Sequence, residues 1–227
     1  AAPRYRAALS RYVLDGFVTE HCDVVLDVSS LHKCLAFFED GNPRRYNSIQ
    51  RRRVTRVESV AKELSFDKYP GLYKALWFEY AEAHRAVLEG KITRNRPPLS
   101  LGEAARCATR GYSAYIDTFK DQVGPNRAAP RRIHDEEEER TYVTARFIRA
   151  RTASKQHGQF GSEAGALGVA LVDYEFVPAY CEAHGLEGME QESGLCAQMC
   201  QLLPSKIVHL RSMEKHAGTD PLVEVQR

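Results

Sequence analysis

The stretch Trp77-Phe-Glu-Tyr-Ala-Glu-Ala-His84 and a second stretch beyond Pro97 and Pro98 decide the fold of this chain. In each stretch, small and aromatic residues recur with steps of three and four, which places them on one side of an α-helix. The first set is Trp77, Tyr80, Ala81 and His84, and the second is Ala108, Tyr112, Tyr115 and Phe119. Two such helices on either side of a proline break predict a tetratricopeptide-like hairpin, the unit of an α-solenoid.

The same helical period continues along most of the chain. It predicts an all-α, tetratricopeptide-like, right-handed α-solenoid of about seven or eight helices, with no secure strand. We expect the solenoid to occupy residues 1–217 and residues 218–227 to form a flexible tail.

Local signals predict where the helices begin and end. A long first helix is expected from Tyr5 to Asp27, a second helix capped by Ser29-Ser30, and a basic helix from Arg44 to Leu64. Ser100 and Glu103 form a possible capping box.

Glycines and prolines add further expectations. Pro178 predicts a kink, Pro204 predicts a break, and residues 158–161 predict a glycine-rich hinge.

Composition excludes several classes of protein. The 227 residues carry a net charge of only +2, so the overall charge gives no indication of binding to nucleic acid or to a membrane. The longest apolar run without a charge, Ala164 to Val172, is too short to span a bilayer. The six cysteines are scattered, and several lie on apolar helical faces, which is typical of reduced, buried thiols in an intracellular protein.

The beginning of the chain allows two interpretations. The first residue is Ala1 rather than Met, so we expect a fragment or a processed product. Arg4, Arg6 and Arg11 precede the first acid, a pattern found both in mitochondrial presequences and in ordinary solvated helix faces.

Seven strings of residues, in order along nearly the whole chain, resemble the KIF-binding protein family. The first and the last are the most specific, and the middle ones are general helical patterns. They are Tyr12-Val-Leu-Asp-Gly-Phe-Val-Thr-Glu-His21, Leu31-His-Lys-Cys-Leu-Ala-Phe-Phe-Glu39, Arg51-Arg-Arg53, Phe78-Glu-Tyr-Ala-Glu-Ala-His84, Ala145-Arg-Phe-Ile-Arg-Ala-Arg151, Tyr174-Glu-Phe-Val-Pro-Ala-Tyr-Cys-Glu182 and Leu202-Leu-Pro-Ser-Lys206.

This resemblance implies a solenoid that binds a kinesin motor domain on the surface that the motor uses for microtubules, and so blocks attachment to the track. The strings correspond only to the C-terminal part of the family's longer solenoid. Much of the family's motor contact comes from the N-terminal half and a central linker, so this chain is also consistent with a solenoid that has lost the kinesin role.

Two charged segments are candidates for partner binding. The acidic run at Glu136, Glu137, Glu138 and Glu139 could mimic the acidic microtubule and attract a basic motor surface, or it could be the solvated start of a helix. Arg51, Arg52 and Arg53 lie in a basic segment that could meet an acidic partner; nucleic acid is a weaker alternative. On a helix, Arg45, Arg52 and Arg56 share a side, and Arg51 lies off it.

Tyr112 and Tyr115 could line a peptide-binding groove, although aromatic residues at this spacing are commonly part of a core. No P-loop, G-x-G-x-x-G, G-x-S-x-G or H-E-x-x-H motif is present. Cys196 and Cys200 lie one helical turn apart, but no second pair completes a zinc site. We therefore predict no enzyme activity, no metal and no cofactor.

The predicted function is a non-catalytic scaffold that binds a protein partner, first of all a kinesin motor domain, in a cytoplasmic or cytoskeletal setting. The alternative is an accessory subunit of a large mitochondrial or ciliary assembly, whose neighbouring subunits cover the exposed ends of the solenoid.

Overall fold

The structure is a computed structural model that describes residues 2–39, 41–94, 98–124, 130–156 and 163–217. These residues form α-helices and turns, and none of them lies in a strand. The helices of the described residues are α1 (Ala2–Arg11), α2 (Val18–Phe38), α3 (Pro43–Ala61), α4 (Pro70–Ile92), α5 (Pro98–Asp117), the single turn α6 (Lys120–Val123), α7 (Glu136–Ala153), α8 (Glu163–His184) and α9 (Glu190–Ala217).

The packing follows the order of the chain. Helix α3 packs between α2 and α4, α4 packs on α5, and α8 packs between α7 and α9. Helices that contact chiefly their neighbours in sequence are characteristic of α-solenoids, so the predicted all-α solenoid class is confirmed.

The contacts divide the chain into two compact units, Ala1–Asp121 and Gln122–Arg227, which we call the N-terminal unit and the C-terminal unit. The predicted boundary at residue 217 stays a prediction, since residues 218–227 lie outside the described part. The predicted hinge at residues 158–161 lies outside it as well.

The two predicted helices pack together as α4 and α5, but the aromatic contacts between them come from Phe78, a residue beside the predicted stripe of α4. The ring of Phe78 lies 6.1 Å from that of Tyr112 and 5.1 Å from that of Tyr115. Gly111 allows α5 to approach Tyr80 and Ala81 closely. Leu76 and Tyr80 of α4 also belong to a core in the N-terminal unit, together with Cys22, Val25, Val57, Val60, Ala61 and Leu64.

Helix starts with strong local signals lie where the sequence places them. The Asn42 side chain accepts a hydrogen bond from the backbone N–H of Arg45 at 3.3 Å, and Pro43 opens α3. The Asp135 side chain accepts one from the backbone N–H of Glu138 at 2.7 Å and caps α7.

Other predicted boundaries are wrong. The predicted first helix is divided by a turn after Arg11, where Gly16 has a φ of 109°, so α1 and α2 are separate. Ser29 and Ser30 lie inside α2, where the Ser29 hydroxyl accepts from the buried Arg53 of α3 and donates to Glu79 of α4.

Prolines explain two further differences. Helix α5 begins at Pro98, a residue type suited to the first helical position, so Ser100 is inside the helix and not its cap. Helix α9 continues through Pro204 because Leu203 and Ile207, on either side of it, are both buried and α9 packs on α8. Pro178 lies inside α8.

Candidate protein-binding surfaces

The acidic run at the start of α7 is divided between surface and core. Glu136 and Glu137 are exposed and Glu138 is half-buried, whereas Glu139 is 0% exposed. We call Glu136–Glu138 the acidic turn. Because it lies at a helix N-terminus, its charges are favourably placed for the helix dipole as well as for a basic partner.

Glu139 has a structural environment that the sequence did not predict. Its carboxylate accepts hydrogen bonds from the hydroxyl of Tyr180 at 3.0 Å and from Nε of Arg132 at 3.2 Å. This pairing raises the pKa of the exposed Arg132 guanidinium, through the hydrogen bond first and the charge of Glu139 second. Glu139 thus joins α7 to α8, and of this acidic run Glu136 and Glu137 are exposed at the surface.

The basic helix α3 is divided in the same way. Arg51 and Arg52 are exposed, whereas Arg53 is 2% exposed and lies among α2, α3 and α4. The Arg53 Nε donates to Glu79 at 2.7 Å and to the Ser29 hydroxyl at 3.0 Å. A cation buried in this way is held by its partners, so Arg53 offers no free charge to a ligand.

A groove of about 810 Å³ runs along the exposed side of α3 and is bounded by α1 and α2. We call it the arginine groove. Arg51 and Arg52 both line it, and Arg45, which the helical period groups with Arg52, does not. The residues that line it in the described part of the chain are Leu9, His21, Val25, Arg44, Asn47, Ser48, Arg51, Arg52, Thr55, Arg56, Ser59 and Val60.

Tyr112 and Tyr115 are core residues of the N-terminal unit. They are 0% and 5% exposed, and the Tyr112 hydroxyl donates to the carboxylate of Glu82. Burial raises the pKa of Tyr112, and the neighbouring Glu82 raises it further. A partner could reach either ring only if α4 and α5 separated, so their predicted role in binding stays untested.

Sequence reasoning missed an exposed apolar surface at the end of α2. Phe37 and Phe38 are 79% and 81% exposed, and Leu35 is 45% exposed. We call these three residues the phenylalanine patch. It borders a groove of about 950 Å³ that reaches Tyr46 and Arg85. Leu35, Phe37 and Phe38 cannot all point inward from one helix, and that spacing is the signal that could have revealed the patch.

The six cysteines include Cys196 and Cys200, the pair that lies one helical turn apart. All six thiols are free, and Cys196 is completely buried. Burial raises the pKa of Cys196 to about 12, which keeps the thiol protonated and a poor metal ligand. No group of three or more potential ligands among His, Cys, Asp and Glu is found in the residues that the structure describes.

Of the helices within the described ranges, none combines the length and the hydropathy that crossing a bilayer requires.

Comparisons with known proteins agree on one family. The profile of the family described as KIF-1 binding protein C terminal matches residues 1–210. The KIF-binding protein of Homo sapiens is 31% identical over 212 residues, which cover 88% of this chain and 33% of the relative. The one from Danio rerio is 30% identical over 209 residues, with the same shares covered.

A more distant relative is the KIF-binding protein of Drosophila melanogaster, 25% identical over 218 residues, which cover 91% of this chain and 36% of the relative. The chain therefore spans about a third of the length of the curated relatives it matches. No solved structure matches it.

Proposed function

Because the chain belongs to the family described as KIF-1 binding protein C terminal, we propose that it is a non-catalytic, protein-binding solenoid whose partner is a kinesin motor domain. The observation that carries this proposal is the family match over residues 1–210, together with relatives named for binding KIF proteins. By occupying the microtubule-facing surface of the motor, the bound solenoid would keep the motor off its track.

The acidic turn supports a particular mode of contact. A motor surface that binds the acidic microtubule is basic, and exposed carboxylates that face it raise the rate of association. The acidic turn supplies such groups on a rigid helix start, because Asp135 caps α7 and Glu139 is anchored in the core.

The test is a binding assay between the chain and a panel of purified kinesin motor domains, followed by co-sedimentation of each motor with microtubules. We expect binding that reduces the amount of motor in the microtubule pellet. Glu136→Lys with Glu137→Lys should weaken binding by about ten-fold, chiefly through slower association.

A matched control reverses two exposed acids elsewhere on the C-terminal unit, Glu175→Lys with Glu182→Lys, and should leave affinity within about two-fold. Equal losses in both double variants would overturn the contact at the acidic turn. Failure to bind any motor domain would overturn the kinesin proposal for this chain.

A second candidate function is an accessory subunit of a large assembly, and the phenylalanine patch favours it. Nearly complete exposure of two adjacent aromatic rings is characteristic of surfaces that a partner covers. Native purification distinguishes the two functions. A stoichiometric complex without a motor, lost on Phe37→Ser with Phe38→Ser, would support the subunit, whereas a reversible complex with a motor would support the regulator.

A further inference from the structure

The charges along α3 fall into two groups that differ in whether they are neutralised. Arg45 pairs with Glu39 at 2.8 Å, and Arg53 pairs with Glu79 at 2.6 Å. The four arginines that line the arginine groove form no ion pair with any acid in the described part of the chain. They are Arg44, Arg51, Arg52 and Arg56.

A second observation shows that this positive charge acts on its surroundings. His32, on α2 opposite α3, has its pKa lowered by burial first and then by the charges of Arg56 and Arg52. Arg53 lowers it further. The groove therefore carries a positive field that reaches the neighbouring helix, and none of the described residues that line it is acidic.

The shape of the groove indicates the size of its ligand. Arg44 and Arg56 are twelve residues apart on one helix, a separation of about 18 Å along the axis. That distance is too long for one phosphate group and corresponds to an extended peptide of about five or six residues. Hydroxyl and amide groups of Ser48, Thr55 and Asn47 supply further hydrogen-bond donors along the same line.

The lining also indicates which class of polyanion it suits. Proteins that bind single-stranded nucleic acid provide aromatic rings on which the bases stack. No aromatic side chain other than the imidazole of His21 lines this groove in the described residues. Acidic side chains of a peptide need only the guanidinium groups and donors that are present, and guanidinium pairs well with carboxylates.

We propose that the arginine groove binds an extended acidic peptide of a partner protein, with Asp or Glu carboxylates paired to Arg51, Arg52 and Arg56. The site lies in the N-terminal unit and is independent of the motor contact proposed for the acidic turn.

The experiment measures fluorescence anisotropy of a labelled hexaglutamate peptide with the full chain, and a hexaserine peptide serves as the uncharged reference. We expect hexaglutamate to bind more tightly than hexaserine. Raising the salt from about 50 to about 300 mM should weaken its binding several-fold, as expected of exposed charges.

Arg51→Gln with Arg52→Gln should weaken hexaglutamate binding by about ten-fold, since two exposed ion pairs are lost. The matched control, Arg45→Gln with Arg211→Gln, removes the same charge outside the groove and should change affinity by less than about two-fold. Circular dichroism verifies that both variants fold.

Three results would overturn the proposal. The first is equal affinity for hexaglutamate and hexaserine, and the second is an equal loss of hexaglutamate affinity in the two double variants. The third is that an oligouridylate of equal charge binds more tightly than hexaglutamate and that Arg51→Gln with Arg52→Gln abolishes this binding. The last result would assign the groove to RNA. Because no motor is present in the assay, none of these outcomes bears on the kinesin proposal.

Discussion

The two units contain the same pair of side chains in different surroundings. Tyr80 and His84 on α4 have ring centroids 4.5 Å apart at 62°, and Tyr180 and His184 on α8 have centroids 4.5 Å apart at 59°. Both tyrosines are 0% exposed. A tyrosine four residues before a histidine on a helix therefore produces the same ring geometry in both units.

The hydrogen bonds of the two pairs differ. In the C-terminal unit, Nε2 of His184 lies 3.0 Å from the carbonyl oxygen of Pro130, and since a carbonyl only accepts, this nitrogen carries the proton. In the N-terminal unit, Nε2 of His84 is buried and has no hydrogen-bond partner in the described residues. The tyrosines differ too, because Tyr180 bonds to buried groups and Tyr80 accepts from the half-exposed Arg110.

The difference shows that spacing on one helix fixes the geometry of a pair but not its chemistry. The chemistry comes from residues far away in sequence, such as Glu139 and Ile133 for Tyr180. Substitutions that remove one member at a time can measure how much each environment contributes to stability.

The largest effect is expected at Tyr180. Its hydroxyl donates to Glu139 and accepts from the backbone N–H of Ile133, each at 3.0 Å, and both partners are buried. Tyr180→Phe leaves both without that bond and should lower the free energy of unfolding by about 2–4 kcal/mol. Urea denaturation followed by circular dichroism measures this change.

Tyr80→Phe is the matched control in the other unit. Arg110, which would lose its bond, has a side chain 46% exposed and can bind water instead, so the expected loss is below about 1 kcal/mol. Trp77 is the single tryptophan of the chain, so its fluorescence reports on the N-terminal unit alone. Equal losses in the free energy of unfolding from both substitutions would show that the buried hydrogen bonds around Glu139 add nothing to stability.

The next effect concerns the stability of the N-terminal unit as a function of pH. The pKa of His84 is lowered from 6.5 to about 4, chiefly by burial; the charge of Glu58 opposes this shift, and the charges of Arg110, Lys91 and Lys62 add to it. As the pH falls, the imidazole of His84 is protonated in the unfolded chain before it is protonated in the folded one. The contribution of His84 to the free energy of unfolding is therefore fully present above pH 6.5 and is lost as the pH falls toward 4. The loss should reach roughly 3 kcal/mol.

His84→Phe removes this titration and should reduce the pH dependence of the Trp77 unfolding transition between pH 6.5 and about 4. The slope that remains is assigned to His32, whose pKa burial and the charges of Arg56 and Arg52 also lower. Glu58 and Glu82 also have lowered pKa values, but their stabilisation is lost only below about 4.5, so the two windows can be separated. His209→Gln, at an exposed position on α9, serves as the control. A slope unchanged in His84→Phe would contradict the assignment.

Sequence reasoning identified the fold from features that act locally. The basic helix and the acidic run begin helices α3 and α7 close to where the sequence places them, and there the side chains of Asn42 and Asp135 cap these helices through bonds three residues along the chain. The stripe around Tyr112 packs on α4, but on Phe78 and not on the stripe predicted there. The break between α1 and α2 was missed because the residues around Gly16 continue the helical period. Helix α9 was wrongly divided because the packing that holds it together at Pro204 comes from α8.

The candidate surfaces were predictable only in part, for the same reason. The charged runs at Arg51 and Glu136 are visible in the sequence, but which member of each run is buried depends on partners that are distant in the chain. The buried Arg53 donates a hydrogen bond to Glu79 on the next helix, and the buried Glu139 accepts one from Tyr180. The arginine groove along α3 could not be predicted either, since its walls depend on where α1 and α2 lie.

The smallest effects on the free energy of unfolding are expected at two helical glycines, one in each unit. A Cβ at Gly111 would lie 2.7 Å from Cδ1 of Tyr80 and 3.0 Å from Cα of Ala81, so Gly111→Ala forces α4 and α5 apart. We expect a loss of about 1–3 kcal/mol in the Trp77 unfolding transition. A Cβ at Gly168 on α8 would meet nothing within 4 Å, and Gly168→Ala should stabilise the chain by about 0.5–1 kcal/mol through helix propensity. If Gly111→Ala also stabilised the chain, α5 would not approach α4 closely at Gly111. The described packing of the aromatic hairpin in the N-terminal unit would then be incorrect.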